Sequence, residues 1–195
     1  MTKKEQARKL AELEASILER QYDLMEECQS LRRSAASLED RLRCDRIEKM
    51  GVLDTPPEPV FDNLLELLTL LSDYEGAMLT FIDTDRMFVK GSVGSLKIET
   101  IPRDESICNF AIKEADKVFV VPDAASDLRF SNLLPVKQGL RTYAGKAVTS
   151  VDGVPVGAVC LVDSRTKPVT DHAVIALEKA AKIISHILAL KSQDK

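Results

Sequence analysis

Between Thr2 and Met50 the chain contains neither proline nor glycine, and no other feature restricts its fold so strongly. Glu, Leu, Arg, Lys, Ala and Gln dominate this stretch, and each loses little conformational freedom in a helix, so one continuous helix is expected. Leu10, Ile17, Leu24, Leu31 and Leu38 recur at intervals of seven residues. That repeat keeps one apolar side chain per two turns on a single seam, the pattern of a coiled coil. With these residues at d, the a positions fall on Glu14, Gln21, Cys28, Ala35 and Leu42. The seam is polar at its start and more apolar toward the rest of the chain. A parallel homodimer held by Leu10, Ile17, Leu24, Leu31, Leu38 and Leu42 is the expectation. The alternative is an amphipathic helix lying back on its own domain, but about 45 residues at 1.5 Å each extend roughly 65 Å, more than a small domain covers. Arg32, Arg33, Arg41, Arg43 and Arg46 alternate with Glu39, Asp40, Asp45 and Glu48. This pattern reads as a solvated, salt-bridged face rather than a nucleic-acid surface.

The length, 195 residues, suits one domain with an extension. A net charge of −4 gives no general attraction for nucleic acid. No apolar stretch is long enough for a signal peptide or a membrane span, so a cytoplasmic location without a membrane partner is expected. Cys28, Cys44, Cys108 and Cys160 are widely separated, and the two histidines are His172 and His186. Neither a zinc knuckle, a thioredoxin-like pair nor a histidine-based metal or haem centre is expected, so no metal site is assigned and the cofactor is unknown.

Gly51 suits the end of the long helix. The segment Thr55-Pro56-Pro57-Glu58-Pro59 then reads as a stiff connector leading into a helix through Phe61, Leu64, Leu65, Leu68 and Leu71. Residues 77–82 and 87–93 are short apolar runs around the turn Asp83-Thr84-Asp85-Arg86, and 118–121 is a further strand stopped by Pro122-Asp123. Residues 140–151 and 154–163 flank Asp152-Gly153, the preferred dipeptide of a two-residue type I′ turn. That turn sets Tyr143, Gly145, Ala147 and Thr149 opposite Val162, Cys160, Ala158 and Val156. The centre of this face is small, leaving room for a helix or a ligand. A last helix from Thr170 to about Leu190 carries two apolar stripes. One packs on the sheet; the other needs a second surface, from a partner subunit or the long helix. His186 shares a side with Lys179 and Lys182 and reads as solvated.

In order along the chain, Gly51-Val52-Leu53-Asp54-Thr55-Pro56-Pro57-Glu58, Arg103 to Cys108, Val121-Pro122-Asp123-Ala124 with Asp127-Leu128-Arg129-Phe130, Tyr143-Ala144-Gly145 with Asp152-Gly153, and Gly157 to Asp163 together resemble a GAF domain. The resemblance spans roughly residues 46 to 190 and is to the subtype at the front of bacterial sensor kinases and diguanylate cyclases. It implies an α/β (α+β) fold: a GAF/PAS-like central antiparallel sheet of five to six strands with helices on both faces, preceded by the long helix. Residues 1–50 would form the coiled-coil helix and 51–195 the GAF domain, with the terminal helices on one face and a pocket on the other. Such domains serve varied ligands, so the fold leaves function open. The Asn-Lys…Phe…Asp-Glu signature of cyclic-nucleotide binders is not found in order. Cys108 precedes Asn109 rather than the histidine usual in bilin attachment. Cys108 and Cys160 do not reproduce the cysteine cluster of free methionine sulfoxide reductases. Thr142 stands where an aromatic residue commonly precedes the tyrosine, and the chain has no tryptophan. No kinase, cyclase or DNA-binding segment follows before Lys195, so the chain is expected to act through a partner or to be part of a longer architecture.

Cys108 is expected at the start of a short helix, where the dipole favours a thiolate while Asp104 and Glu105 oppose it; a packed structural thiol and a redox sensor are both open. Asp123 is expected to cap the turn at 124–126, and Asp127 with Arg129 to pin the loop that follows. If a small molecule binds, Cys108, Arg129, Phe130, Tyr143 and Cys160 are the candidates, with Arg129, Phe130 and Tyr143 near the pocket rim. No nucleophile–base pair or carboxylate dyad is evident, so no catalytic residues are assigned. Three functions remain: a dimeric sensory module signalling to a downstream protein, a ligand-free dimerisation scaffold, and a thiol-redox enzyme using Cys108 and Cys160.

Overall fold

A computed structural model describes residues 3–95, 98 and 100–193. The proline- and glycine-free segment forms one helix, α1 (Lys3–Met50). Gly51 ends it in the left-handed region at φ +60°, its N–H donating to the carbonyls of Ile47 and Glu48. The chain falls into two compact units, Met1–Arg41 and Leu42–Lys195. In the first, Ile17, Leu24, Leu31 and Leu38 are between 47% and 64% exposed, so the heptad seam stands in solvent in the single chain. Leu10 falls outside the residues whose side chains are described.

The second unit begins inside the helix because the last two turns of α1 change character. Arg43 is buried and its Nε donates to the carbonyl of Ile82 at 2.9 Å, while Ile47 and Met50 enter the core. Arg46 pairs with Asp45 and reaches Asp152 at 2.8 Å. The expectation of a solvated, salt-bridged arginine face is therefore corrected at Arg43, which is buried and tied to a strand, whereas Arg46 keeps its salt bridge to Asp45.

The remaining elements are α2 (Pro59–Ser72), β1 (Gly76–Ile82), β2 (Arg86–Val93), β3 (Thr100–Pro102), α3 (Cys108–Ala111), β4 (Phe119–Val121), α4 (Leu134–Lys137), β5 (Thr142–Thr149), β6 (Pro155–Asp163) and α5 (Asp171–Gln193). Pro59 starts α2, where its missing N–H costs nothing, and Asp73 ends it in the left-handed region at φ 56°. The six strands form one antiparallel sheet in the order β3-β2-β1-β6-β5-β4. Central β1 is buried along its whole length, as its apolar sequence requires. One face of the sheet packs on α2, α5 and the end of α1 around Ile47, Phe61, Leu65, Phe81, Leu177 and Ile184. The opposite face is covered by α3 and short loops around Met78, Phe119, Phe130, Tyr143 and Cys160.

Two strand features differ from expectation. β3 escapes the pattern because it has three residues and ends in a proline, and it pairs only with the first residues of β2 at the sheet edge. The β5–β6 connection is not a type I′ turn: only Gly153, at φ +84°, has positive φ. Gly153 N–H donates to the Ser150 carbonyl and Ser150 N–H to the Val154 carbonyl, which makes a three-residue loop with a glycine bulge. The register still pairs Tyr143 with Val162, Gly145 with Cys160 and Ala147 with Ala158. An irregularity between Val148 and Thr149 absorbs the extra loop residue, and Thr149 therefore meets Pro155 instead of Val156.

Candidate functional site

The sheet face under α3 brings together four of the five ligand candidates. Tyr143 and Gly145 lie two residues apart on β5, so their side positions share this face. The tyrosine ring folds along its own strand into the space that glycine leaves; a Cβ on Gly145 would lie 2.2 Å from the Tyr143 hydroxyl oxygen. The small centre of the face is thus filled by the chain itself. Phe110, Phe119, Phe130 and Tyr143 make an edge-to-face cluster, with Phe110 and Phe130 centroids 5.0 Å apart. Phe130 and Tyr143 are buried, which corrects the expectation of rim positions; their apolar bodies are worth more in the core than at a wet edge. Arg129 alone is exposed, its guanidinium 4.6 Å over the Phe130 ring and held by Asp127 at 2.7 Å.

Cys108 and Cys160 meet inside this face, their sulfurs 4.0 Å apart, and the Tyr143 hydroxyl lies 3.3 Å from the Cys108 sulfur. The hydrogen bond from Cys160 pulls the Cys108 thiol down, against burial and with further help from Thr80, Tyr143 and Ser106. The same coupling, together with burial, pushes the Cys160 thiol up. Burial likewise raises Tyr143 well above the usual phenol value. The supporting donors are side chains rather than the dipole of α3, which has only four residues. Glu105 is turned away from the thiol and accepts the Leu134 N–H at 2.7 Å, starting α4.

A cavity of about 20 Å³ remains beside the pair, lined among others by Met78, Met87, Ser106, Cys108 and Tyr143. Leu140 and Val162 separate it from an open pocket of about 140 Å³ bounded by Glu75, Ser95, Gln138, Asp163 and Ser164. Asp163 is buried at this pocket's edge; burial raises its pKa, but hydrogen bonds from Arg165 and Lys167 outweigh that and hold it at about 2. Asp123 caps its turn through Ala125 N–H and the Ser126 hydroxyl. Thr142, in place of an aromatic residue, is buried and bonds the Pro122 and Arg165 carbonyls and the Lys167 N–H.

The sequence reading missed one cluster on the other face. Lys90 is buried on β2, with its ammonium 2.5 Å from Thr55 Oγ1, 2.8 Å from the Pro56 carbonyl and 3.0 Å from Glu58, which also pairs with Lys191 of α5. Burial raises Glu58, yet the hydrogen bonds from Lys191 and Lys90 outweigh it and leave the carboxyl lowered. The signal was a lysine inside an apolar strand. Among the described residues no three His, Cys, Asp or Glu side chains group to hold a metal, and no helix is long and apolar enough to cross a membrane.

No protein-family model matches the chain. Over 153 residues, 76% of its length, the chain is 30% identical to a cyclic di-GMP phosphodiesterase of Pseudomonas aeruginosa, and it spans 26% of that relative. Among solved structures, a free methionine-R-sulfoxide reductase of Neisseria meningitidis aligns with a TM-score of 0.58 at 16% identity, covering 76% of this chain and 88% of the reductase. The photosensory core module of a Stigmatella aurantiaca phytochrome aligns with a TM-score of 0.54 at 14% identity, covering 75% of this chain and 35% of the module. The fold is GAF-like, an α+β architecture shared by proteins of different activities.

Proposed function

We propose that the chain is a non-catalytic sensory module that works as a homodimer and signals to a downstream protein. The observation that carries this reading is the unequal dressing of the two sheet faces. On the α2/α5 face, Leu67, Leu71, Ile175 and Ile183 remain about half exposed around an apolar groove of about 250 Å³. Together with the exposed seam of α1, this face is suited to a second copy. The α3 face is closed only by short segments, and there the residual cavity and the open pocket adjoin. A small molecule drawn into that face shifts short elements first and the helical face second. The chain spans 26% of a longer phosphodiesterase, so that enzyme's hydrolysis is not carried over to it.

The ligand-free scaffold is favoured by one observation: the candidate face is filled by Phe130 and Tyr143, leaving about 20 Å³. Light scattering separates pairing from monomeric behaviour. The full chain is expected at twice its chain mass, and Leu24→Lys with Leu31→Lys at one chain mass; a monomeric parent removes the dimer from the account.

A further inference from the structure

Two cysteines and two methionines, distant in sequence, converge under α3. The Cys108 and Cys160 sulfurs are 4.0 Å apart, and both residues are buried. Met78 is the cross-strand partner of Cys160 in the β1–β6 ladder, so the two side chains stand together on one face. Met78, Met87 and Cys108 line the same cavity of about 20 Å³. That space is a little above the 10–15 Å³ or so that one water needs, enough for a bare ion and too small for an organic ligand. Its described lining holds no histidine, aspartate or glutamate.

We propose that copper(I) binds at the edge of this cavity, held by the thiolates of Cys108, which lines it, and of Cys160, whose sulfur lies 4.0 Å from that of Cys108, with the thioether of Met78 or Met87 as third ligand. Two metal–sulfur bonds of about 2.3 Å to sulfurs 4.0 Å apart subtend roughly 120°, the angle of a trigonal three-sulfur site. Thiolate and thioether ligands select copper(I), whereas structural zinc demands four tetrahedral ligands, which this lining does not offer. Copper enters as the monovalent ion and stays so: two S–H bonds are lost, three Cu–S bonds form, two to thiolates and one to a thioether, two protons leave and no electron moves. The resulting site carries one negative charge. The Tyr143 hydroxyl, 3.3 Å from the Cys108 sulfur, donates to it. The inference rests on the sensory reading of this face and names the class of its ligand.

The test is an anaerobic titration of the full chain with copper(I) against a chromophoric copper(I) chelator. It is run in a Cys28→Ser, Cys44→Ser background because those thiols are less buried and would compete. One copper per chain should be withheld from the chelator, and Cys108→Ala or Cys160→Ala should weaken retention more than tenfold. Met78→Leu combined with Met87→Leu, which keeps the volume, should weaken it by a smaller factor. X-ray absorption on the unmutated pair answers for any variant that fails to fold: sulfur alone in the first shell is expected. Nitrogen or oxygen ligands, complete stripping by the chelator, or undiminished retention after loss of either cysteine would overturn the site. Recovery of a stoichiometric organic ligand with no copper uptake would overturn it while leaving the sensory reading intact.

Discussion

The hydroxyl of Tyr143 reaches the sulfur of Cys108, 3.3 Å away, because the ring occupies the space above Gly145 that any larger residue would fill. Glycine, tyrosine and thiol therefore form one packing unit. Gly145→Ala should expel the ring and cost about 1–3 kcal/mol, read as a lowered midpoint in urea. Tyr143→Phe keeps the ring and should cost about 1 kcal/mol. An alanine at 145 without penalty would contradict this packing.

Tyr74 makes the opposite prediction. Its hydroxyl is buried with no hydrogen-bond partner among the described residues, and burial, with the Asp163 charge, lifts its pKa to about 12. Tyr74→Phe removes a desolvated polar group and keeps the ring on which Lys167 Nζ stacks at 4.5 Å. Stability should be unchanged or higher by about 1 kcal/mol in thermal unfolding.

Acid should weaken the domain through Asp163. Its folded pKa is held at about 2 against a usual 3.8, so the folded state prefers the carboxylate. The stabilisation is complete above pH 3.8 and is lost as pH falls through about 2, amounting to about 2–3 kcal/mol at about 1.4 kcal/mol per unit. Asp163→Asn should flatten the urea midpoint against pH between 4 and 2, roughly the span of the shift. An identical slope in the variant would contradict it.

Lys90 and Glu58 join the proline connector to β2 and α5. Glu58→Ala strands a buried ammonium and should cost about 3 kcal/mol in urea unfolding, whereas combining it with Lys90→Met should recover most of the loss. Additive losses in the double variant would show that the pair is not coupled.

Local chemistry made much of the fold legible. Residues 2–50 lacked helix breakers, Gly51 supplied a stop, and 77–82 and 87–93 alternated with turn residues. The resemblance ordered the segments, and the β5–β6 register holds for Tyr143, Gly145 and Ala147 but not for Thr149, because the third loop residue is offset only by the irregularity before Thr149. The site was less legible because its geometry is long-range. Cys108 and Cys160 are 52 residues apart and no spacing rule joins them. Phe130 and Tyr143 look like rim residues by chemistry alone, yet both are drawn inward by the aromatic cluster. Arg43 lies on the long helix among other arginines, and its burial and its bond to the distant Ile82 carbonyl set it apart.

The proposed assembly is a dimer that carries a small ligand on the α3 face. Native mass spectrometry of the full chain, purified without dialysis or chelators and followed by denaturing analysis, reads both halves at once. A complex of two chains is expected, its mass exceeding the protein alone by a stoichiometric increment that is released on denaturation. A monomer of bare chain mass would contradict it.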